Sequence, residues 1–161
     1  MNETFQEFLK NLTKQKIAII GAGVSNVPLI QKLVSLNCDL TLFDQKEEEN
    51  LNEEMQKLIQ KGILKASLGK EYLERLNHFD IIFRSPSFLP NNPYLIKEKS
   101  RGAIITSEIE EVIRYAPCKT IGITGSKGKT TTTTIITHIL IELGYHVFTG
   151  GNIGTPLFNQ I

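Results

Sequence analysis

The sequence has few cysteines, no long apolar run and almost no net charge. Its two cysteines, Cys38 and Cys118, lie far apart and have no C-x-x-C or histidine companion, so a zinc site or a redox pair is not expected. No stretch reaches the roughly 18 apolar residues that a membrane-spanning helix requires, and residues 1–16 contain no apolar signal segment. We therefore expect a cytoplasmic protein.

The charge balance argues against a nucleic-acid partner. The sequence has eighteen lysines and arginines and seventeen aspartates and glutamates, so it has almost no excess of positive charge. It also has no local cluster of basic residues that could bind nucleic acid. A hydrophobic fraction of 40% and a charged fraction of 22% are typical of globular chains. A length of 161 residues suffices for one well-buried domain and leaves room for a second, small one. The oligomeric state cannot be read from these features.

Short β-branched runs alternate with helical patterns along the chain. Five runs are predicted to be strands, at residues 16–20, 39–43, 80–84, 103–106 and 119–124. They are continuously apolar, which is typical of strands that are buried on both faces of a parallel sheet. The alternation predicts an α/β fold with a Rossmann-like, doubly wound parallel sheet.

Several predicted helices have readable ends. Gly62 is predicted to end a helix whose apolar residues recur between positions 51 and 59. Asn92 and Pro93 form an N-cap and first-turn pair, and Ser107 with Glu110 matches the S-x-x-E capping box.

A domain boundary is predicted near Pro117, which separates a helix from a new strand. We assign residues 1–116 to the Rossmann-like domain and residues 117–161 to the start of a second domain. That second part is too short to bury its own core, so we expect it to be the first βα unit of a truncated domain.

A glycine- and lysine-rich segment follows the last predicted strand: "ITGSKGKTTTTT", residues 123–134. A phosphate-binding loop consists of a strand, a glycine-rich loop, a Lys-Thr pair and a helix. The glycines let several N–H groups face one point, and the helix N-terminus adds unpaired amides. Lys129 would meet the β- and γ-phosphates of ATP, and Thr130 would place a hydroxyl on Mg²⁺. The candidate ATP-binding residues are Gly125, Ser126, Lys127, Gly128, Lys129, Thr130 and Thr131, with Lys129 as the catalytic candidate and Thr130 as the metal-ligand candidate.

The spacing departs from the common form G-x-x-x-x-G-K-[ST], because Ile123 stands where the first glycine is required. The pattern present is the narrower T-G-x-x-G-K-T-T, from Thr124 to Thr131. The alternative is a surface turn that precedes a threonine-rich helix. Five consecutive threonines are poor helix formers, yet they stand where first-turn hydroxyls are useful, so we favour the phosphate loop.

A second glycine turn, Gly21-x-Gly23, follows the first predicted strand. Asn26 stands where the dinucleotide fingerprint has its third glycine, which weakens the case for a dinucleotide but leaves a phosphate possible. Asp44 ends the next strand, where it could accept hydrogen bonds from a ribose. The alternatives are an ordinary βα turn without a ligand, and a helix N-cap role for Asp44.

A third candidate ligand-binding segment is the loop "RSPSFLPNNP", residues 84–93, which contains three prolines and lies at the carboxyl end of a predicted strand. Ligands of open α/β sheets bind at that edge. Without other information, a rigid connector is the simpler interpretation.

Taken together, these segments resemble the Mur ligase family of peptidoglycan synthesis. The resemblance is carried by "GITGSKGKTTTT" (122–133), "GGNIGTPL" (150–157), "GAGVS" (21–25) and "RSPS" (84–87), in the family's order and approximate spacing. T-G-x-x-G-K-[ST] is typical of Mur ligases and folylpolyglutamate synthases. The whole chain is similar to the first third of such an enzyme.

The resemblance implies an ADP-forming amide ligase that uses ATP and Mg²⁺. "GGNIGTPL" points to the addition of D-glutamate to UDP-N-acetylmuramoyl-L-alanine, through an acyl phosphate on the muramoyl-alanine carboxylate. The family's positions for the UDP-linked substrate match Val24, Ser25, Asp44, Gln45, Ser85, Ser87 and Asn152. Lys129 and Thr130 match its phosphate and magnesium positions.

Three residues depart from the family pattern. Lys127 stands where asparagine or aspartate is usual, Ser87 replaces a glycine after Ser-Pro, and Asn26 replaces the third glycine of the first turn. The family's remaining catalytic residues would lie beyond Ile161, so the chain alone is not expected to catalyse ligation. Two alternatives remain open: a Mur-type or folylpolyglutamate-type ligase for another amino acid, and a non-catalytic nucleotide-sensing module.

Overall fold

The computed structural model describes residues 3–23, 26–151 and 157–158. The helices and strands follow in the order α1 (Phe5–Leu12), β1 (Lys16–Ile20), α2 (Asn26–Ser35), β2 (Asp39–Asp44), α3 (Glu53–Gln60), β3 (Lys65–Leu68), β4 (Ile81–Arg84), α4 (Pro93–Ser100), β5 (Ile104–Thr106), α5 (Glu108–Tyr115) and α6 (Lys129–Glu142). A short 3₁₀ turn, Glu48–Asn50, precedes α3.

The five strands form one parallel sheet in the order β3-β2-β1-β4-β5. Ile19 of β1 pairs with Leu42 on one side and with Phe83 on the other. The chain first builds outward from β1 through β2 to β3, and then returns to place β4 on the opposite side of β1. The predicted Rossmann-like α/β sheet is therefore confirmed, and its topological switch point lies between β1 and β4.

The core lies on both faces of the sheet, because successive side chains of a strand point to opposite faces. Ile17 and Ile19 of β1 pack with apolar residues of α1, α2, α3 and α5. Ala18 and Ile20 pack on the other face with Leu95 of α4 and with the segment that precedes β4. Burial on both faces explains why these strands are continuously apolar in sequence.

The predicted helix ends are largely confirmed. Gly62 follows α3 with a φ of 68°, and the Asn92 side chain accepts a hydrogen bond from the Tyr94 amide at 3.0 Å. Ser107 caps α5 by accepting from the Glu110 amide at 3.4 Å. The Glu110 carboxylate instead pairs with Arg84 and accepts from Thr106, so only half of the predicted capping box forms.

The strand predicted at 119–124 is wrong. These residues form no strand in the structure, and Ile121 is 62% exposed. A strand needs a neighbour to complete its ladder of backbone hydrogen bonds, and residues 119–124 pair with no described segment. Of the predicted βα unit, the described residues therefore contain only the helix, α6.

Two elements of the structure were not predicted from the sequence. Strand β3, "KASL", is a short edge strand without a β-branched residue. Helix α1 carries a readable signal that was not used, since Thr4 and Glu7 form a complete capping box.

The second part of the chain differs from the first in its burial. No side chain of α6 is buried, and Ile135, Ile139 and Leu143 are exposed. Phe158, by contrast, is 1% exposed and lies edge-on to Phe5 with ring centres 5.4 Å apart. Helix α5 ends at Tyr115, next to the predicted boundary at 116/117, which remains a prediction.

Phe158 also ties the second part of the chain to α5 through its backbone. Its N–H donates to the Glu108 carboxylate at 3.0 Å, within the first turn of that helix. Burial raises the pKa of Glu108, whereas this hydrogen bond lowers it.

We expect Phe158→Ala to lower the free energy of unfolding by about 3 kcal/mol, because it removes a buried ring and leaves a cavity. Phe148→Ala is a matched control, since Phe148 is 64% exposed in the same part of the chain. Urea denaturation followed by circular dichroism measures both. Equal losses in the two variants would show that the Phe158 ring does not anchor the segment.

Candidate functional site

Three segments meet at the carboxyl edge of the sheet. The glycine turn follows β1, the residues after Asp44 follow β2, and the loop 85–87 follows β4. Strands β1 and β4 flank the topological switch point, which is where ligands of open α/β sheets bind.

The glycine turn and the loop after β4 approach each other closely. Gly21 has a φ of 92°, and a Cβ atom on it would lie 3.1 Å from Ser85 Oγ. The Ser85 amide donates to the Ile20 carbonyl at 2.9 Å, which extends the pairing of β1 with β4 by one residue. The positive φ thus favours glycine at position 21, and a side chain there would also press against Ser85.

The Asp44 carboxylate binds backbone amides on two sides. One oxygen accepts from Ala22 N at 2.7 Å, and the other accepts from Lys46 N at 2.9 Å. Asp44 is buried, and the N-cap of the nearby 3₁₀ turn is Glu47 rather than Asp44. The pKa of Tyr72 is raised, mainly by burial and also by the negative charge of Asp44. The carboxylate therefore joins the glycine turn to the end of β2.

The other predicted UDP-binding residues lie at the same edge where they are described. The Ser85 and Ser87 hydroxyls are 3.2 Å apart, with Ser85 half-buried and Ser87 exposed. Gln45 is exposed beside Asp44. Val24, Ser25 and Asn152 lie outside the described residues.

The predicted phosphate loop opens a helix, as its glycines suggest. Gly125 and Gly128 have φ angles of 152° and 78°, and Gly128 is the N-cap of α6 without a capping side chain. The first backbone hydrogen bond of the helix runs from Thr132 N to Gly128 O at 2.9 Å. Within the described residues, the amides of 126–131 donate to no protein atom. They are therefore available to an anion, at the positive end of the helix dipole.

Lys129 folds back over this loop. Its Nζ donates to the Gly125 carbonyl at 2.5 Å, which holds the ammonium beside the unpaired amides. Thr130 and Thr131 are exposed, while Thr133 donates to the Lys129 carbonyl at 2.8 Å. The loop therefore places the Lys129 ammonium next to a helix N-terminus with unpaired N–H groups, and both are donors that bind phosphate.

Asn26 is the site residue whose importance the sequence analysis missed. Its side chain is buried and donates to the Gly21 carbonyl at 2.8 Å, so it contacts the glycine turn directly. An asparagine at a glycine position signals an altered turn, but nothing in one sequence tells where its amide will point.

Two searches of the described coordinates are negative. No group of three or more histidine, cysteine, aspartate or glutamate side chains in the described ranges could hold a metal ion. No helix there has both the length and the apolar character that crossing a membrane demands.

Comparison with known proteins gives long, strong matches among curated sequences, although no family model matches the chain. The UDP-N-acetylmuramoylalanine–D-glutamate ligase of Clostridium novyi (strain NT) is 50% identical over 161 residues, and that of Clostridium tetani is 51% identical over the same length. The chain is a homologue of the N-terminal part of Mur ligases. It spans about a third of the length of these relatives, because each match covers 100% of the chain and 35% of the relative.

A solved Mur ligase shares the fold. UDP-N-acetylmuramate-alanine ligase MurC from Thermotoga maritima aligns with a TM-score of 0.50 and 19% identity, over 81% of this chain and 30% of that one. At this level of identity the match supports the Rossmann-like fold alone.

In this Mur ligase homologue, we expect Gly21→Ala to lower the free energy of unfolding by about 1–3 kcal/mol, because the new Cβ combines a strained φ with a close contact to Ser85. Gly23→Ala is the matched control, since a Cβ at Gly23 would meet nothing within 4 Å. Urea denaturation of both variants measures the difference. If Gly21→Ala is as stable as Gly23→Ala, the close approach of the two loops is not required.

Proposed function

We propose that the chain forms the UDP-substrate domain and the first part of the ATP-binding domain of a cytoplasmic ligase that adds D-glutamate to UDP-N-acetylmuramoyl-L-alanine. The proposal is supported by 50% and 51% identity to relatives that bear this name. In it, residues 1–116 hold the UDP moiety and residues 117–161 begin the ATP-binding domain. The exposed apolar side chains of α6 would then be covered by further residues of the ligase.

The proposal depends mainly on the unpaired backbone amides of the loop 125–130. Its amides have no partner among the described residues, and they open onto the N-terminus of a 14-residue helix. The first N–H groups of a helix have no intrahelical acceptor, so a phosphate can bind to them without displacing a protein hydrogen bond.

The loop residues fit the terminal phosphates of ATP. The Lys129 ammonium would exchange its Gly125 carbonyl contact for phosphate oxygens, and the backbone amides would donate to the same group. The exposed Thr130 hydroxyl would be a ligand of Mg²⁺. When bound, MgATP supplies the phosphoryl group that activates the substrate carboxylate for attack by an amine, and ADP is released.

The carboxyl edge of the sheet would bind the UDP moiety. Asp44 has each carboxylate oxygen engaged by one amide, and each oxygen retains further acceptor capacity for a hydroxyl. The paired hydroxyls of Ser85 and Ser87 and the exposed side chain of Gln45 supply further polar groups at this edge. Val24, Ser25 and Asn152 complete the proposed set of UDP-substrate residues.

Calorimetric titration of the chain tests the substrate class. We expect saturable binding of UDP and of UDP-N-acetylmuramoyl-L-alanine, and no comparable binding of NADH, because Asn26 replaces the third glycine of the dinucleotide fingerprint. Tight NADH binding without a response to the UDP compounds would overturn the proposal.

We expect Lys129→Met to weaken MgATP binding at least about tenfold, because the variant removes the cation that the loop holds beside its amides. Lys119→Met is the control, since Lys119 is an exposed lysine outside the loop. Phosphorus NMR titration of ATP with each variant measures the affinity. Equal affinities would place the nucleotide phosphates elsewhere.

A further inference from the structure

Two peptide groups of the turn that follows β1 are each hydrogen-bonded through both the N–H and the C=O. In the Ile20–Gly21 peptide, the N–H donates to the Phe43 carbonyl at 2.7 Å, and the carbonyl accepts from the Ser85 amide at 2.9 Å. In the Gly21–Ala22 peptide, the N–H donates to Asp44 at 2.7 Å. The ends of β2 and β4 thus account for three of these contacts.

Asn26 supplies the remaining contacts from the side of α2. Its Nδ2 donates to the Gly21 carbonyl at 2.8 Å and to the Ile20 carbonyl at 3.2 Å. The residue is 1% exposed, and its Oδ1 has no donor among the described residues. This orientation of the carboxamide follows from the chemistry, because the reverse orientation would place Oδ1 against two carbonyl oxygens.

Asn26 and Asp44 hold the same peptide from opposite sides. The C=O and N–H of a trans peptide point in opposite directions, and the described residues contain no cis peptide. Asn26 binds the C=O of the Gly21–Ala22 peptide, and Asp44 binds its N–H. Rotation of this peptide plane is set by ψ of Gly21 and φ of Ala22, and the two side chains restrain the plane from its two ends.

We infer that Asn26 is a positioning residue for the UDP-binding edge, acting by hydrogen bonds in the place where the dinucleotide fingerprint relies on a third glycine and close packing. The inference rests on the proposed UDP function of this edge. The turn held in this way contains the Gly23 N–H, which donates to no protein atom among the described residues and could donate to a bound diphosphate. Asn26 therefore has a role of its own at this position, in addition to taking the place of a glycine.

Two variants of Asn26 separate hydrogen bonding from packing. Asn26→Leu keeps the branched shape and number of heavy atoms but removes both donors, whereas Asn26→Gly restores the glycine of the fingerprint. We expect both to weaken UDP binding by about tenfold, the effect of losing one or two hydrogen bonds. Unchanged UDP affinity in the leucine variant would show that Asn26 only fills space, and unchanged affinity in the glycine variant would show that the turn does not need it. Asn11→Leu, an exposed asparagine on α1, is the control.

Amide hydrogen exchange of Gly21 and Ala22 tests the clamp without any ligand. We expect exchange of both amides to accelerate in Asn26→Leu and to stay at the wild-type rate in Asn11→Leu. If wild-type chain does not bind UDP, the proposed function fails, while these rates still decide the role of Asn26. Unchanged exchange in Asn26→Leu overturns the inference.

A double-mutant cycle of Asn26→Leu and Asp44→Ala tests whether the two side chains act on one peptide. Because either variant alone frees the same plane, we expect the double variant to weaken UDP binding by less than the product of the two single effects. Independent, multiplicative effects on the UDP dissociation constant would contradict a shared target.

Discussion

The parallel direction of all five strands is the constraint on which the rest of the structure depends. It places the ends of β1, β2 and β4 at one edge, so that residues more than twenty positions apart in sequence become neighbours. Backbone hydrogen bonds from β2 and β4 then hold the turn after β1, and Gly21 permits the approach. The candidate UDP site is thus a consequence of sheet topology before any particular side chain is considered.

The two candidate nucleotide sites obtain their hydrogen-bond donors in different ways. In the loop 125–130, glycines and a helix N-terminus expose amides directly, and Lys129 adds a positive charge beside them. At the edge of the sheet, the buried side chains of Asp44 and Asn26 bind backbone groups of the glycine turn. Few backbone groups of that turn are therefore left to bind a ligand. The two candidate sites differ in this physical sense, although both precede a helix.

Much of the fold could be predicted because its signals are local. The continuously apolar runs of β1, β2 and β4 and the Asn92 cap depend on neighbouring residues alone. Strand β3 was missed because its place at the edge of the sheet depends on pairing with β2. The run 119–124 has strand composition, but a strand also requires a partner, and none is described beside it. For the site, glycine and lysine spacing predicted the loop, whereas the inward direction of Asn26 depends on carbonyls that folding brings within reach.

The burial of Phe158 has a mechanical consequence. The segment that carries α6 leaves the sheet and its helices after Tyr115 and contacts them again at Leu157 and Phe158, against α1 and α5. Because both ends of this segment contact the same sheet and its helices, the residues between them can move only as far as these two attachments allow. The same limit applies to the loop 125–130.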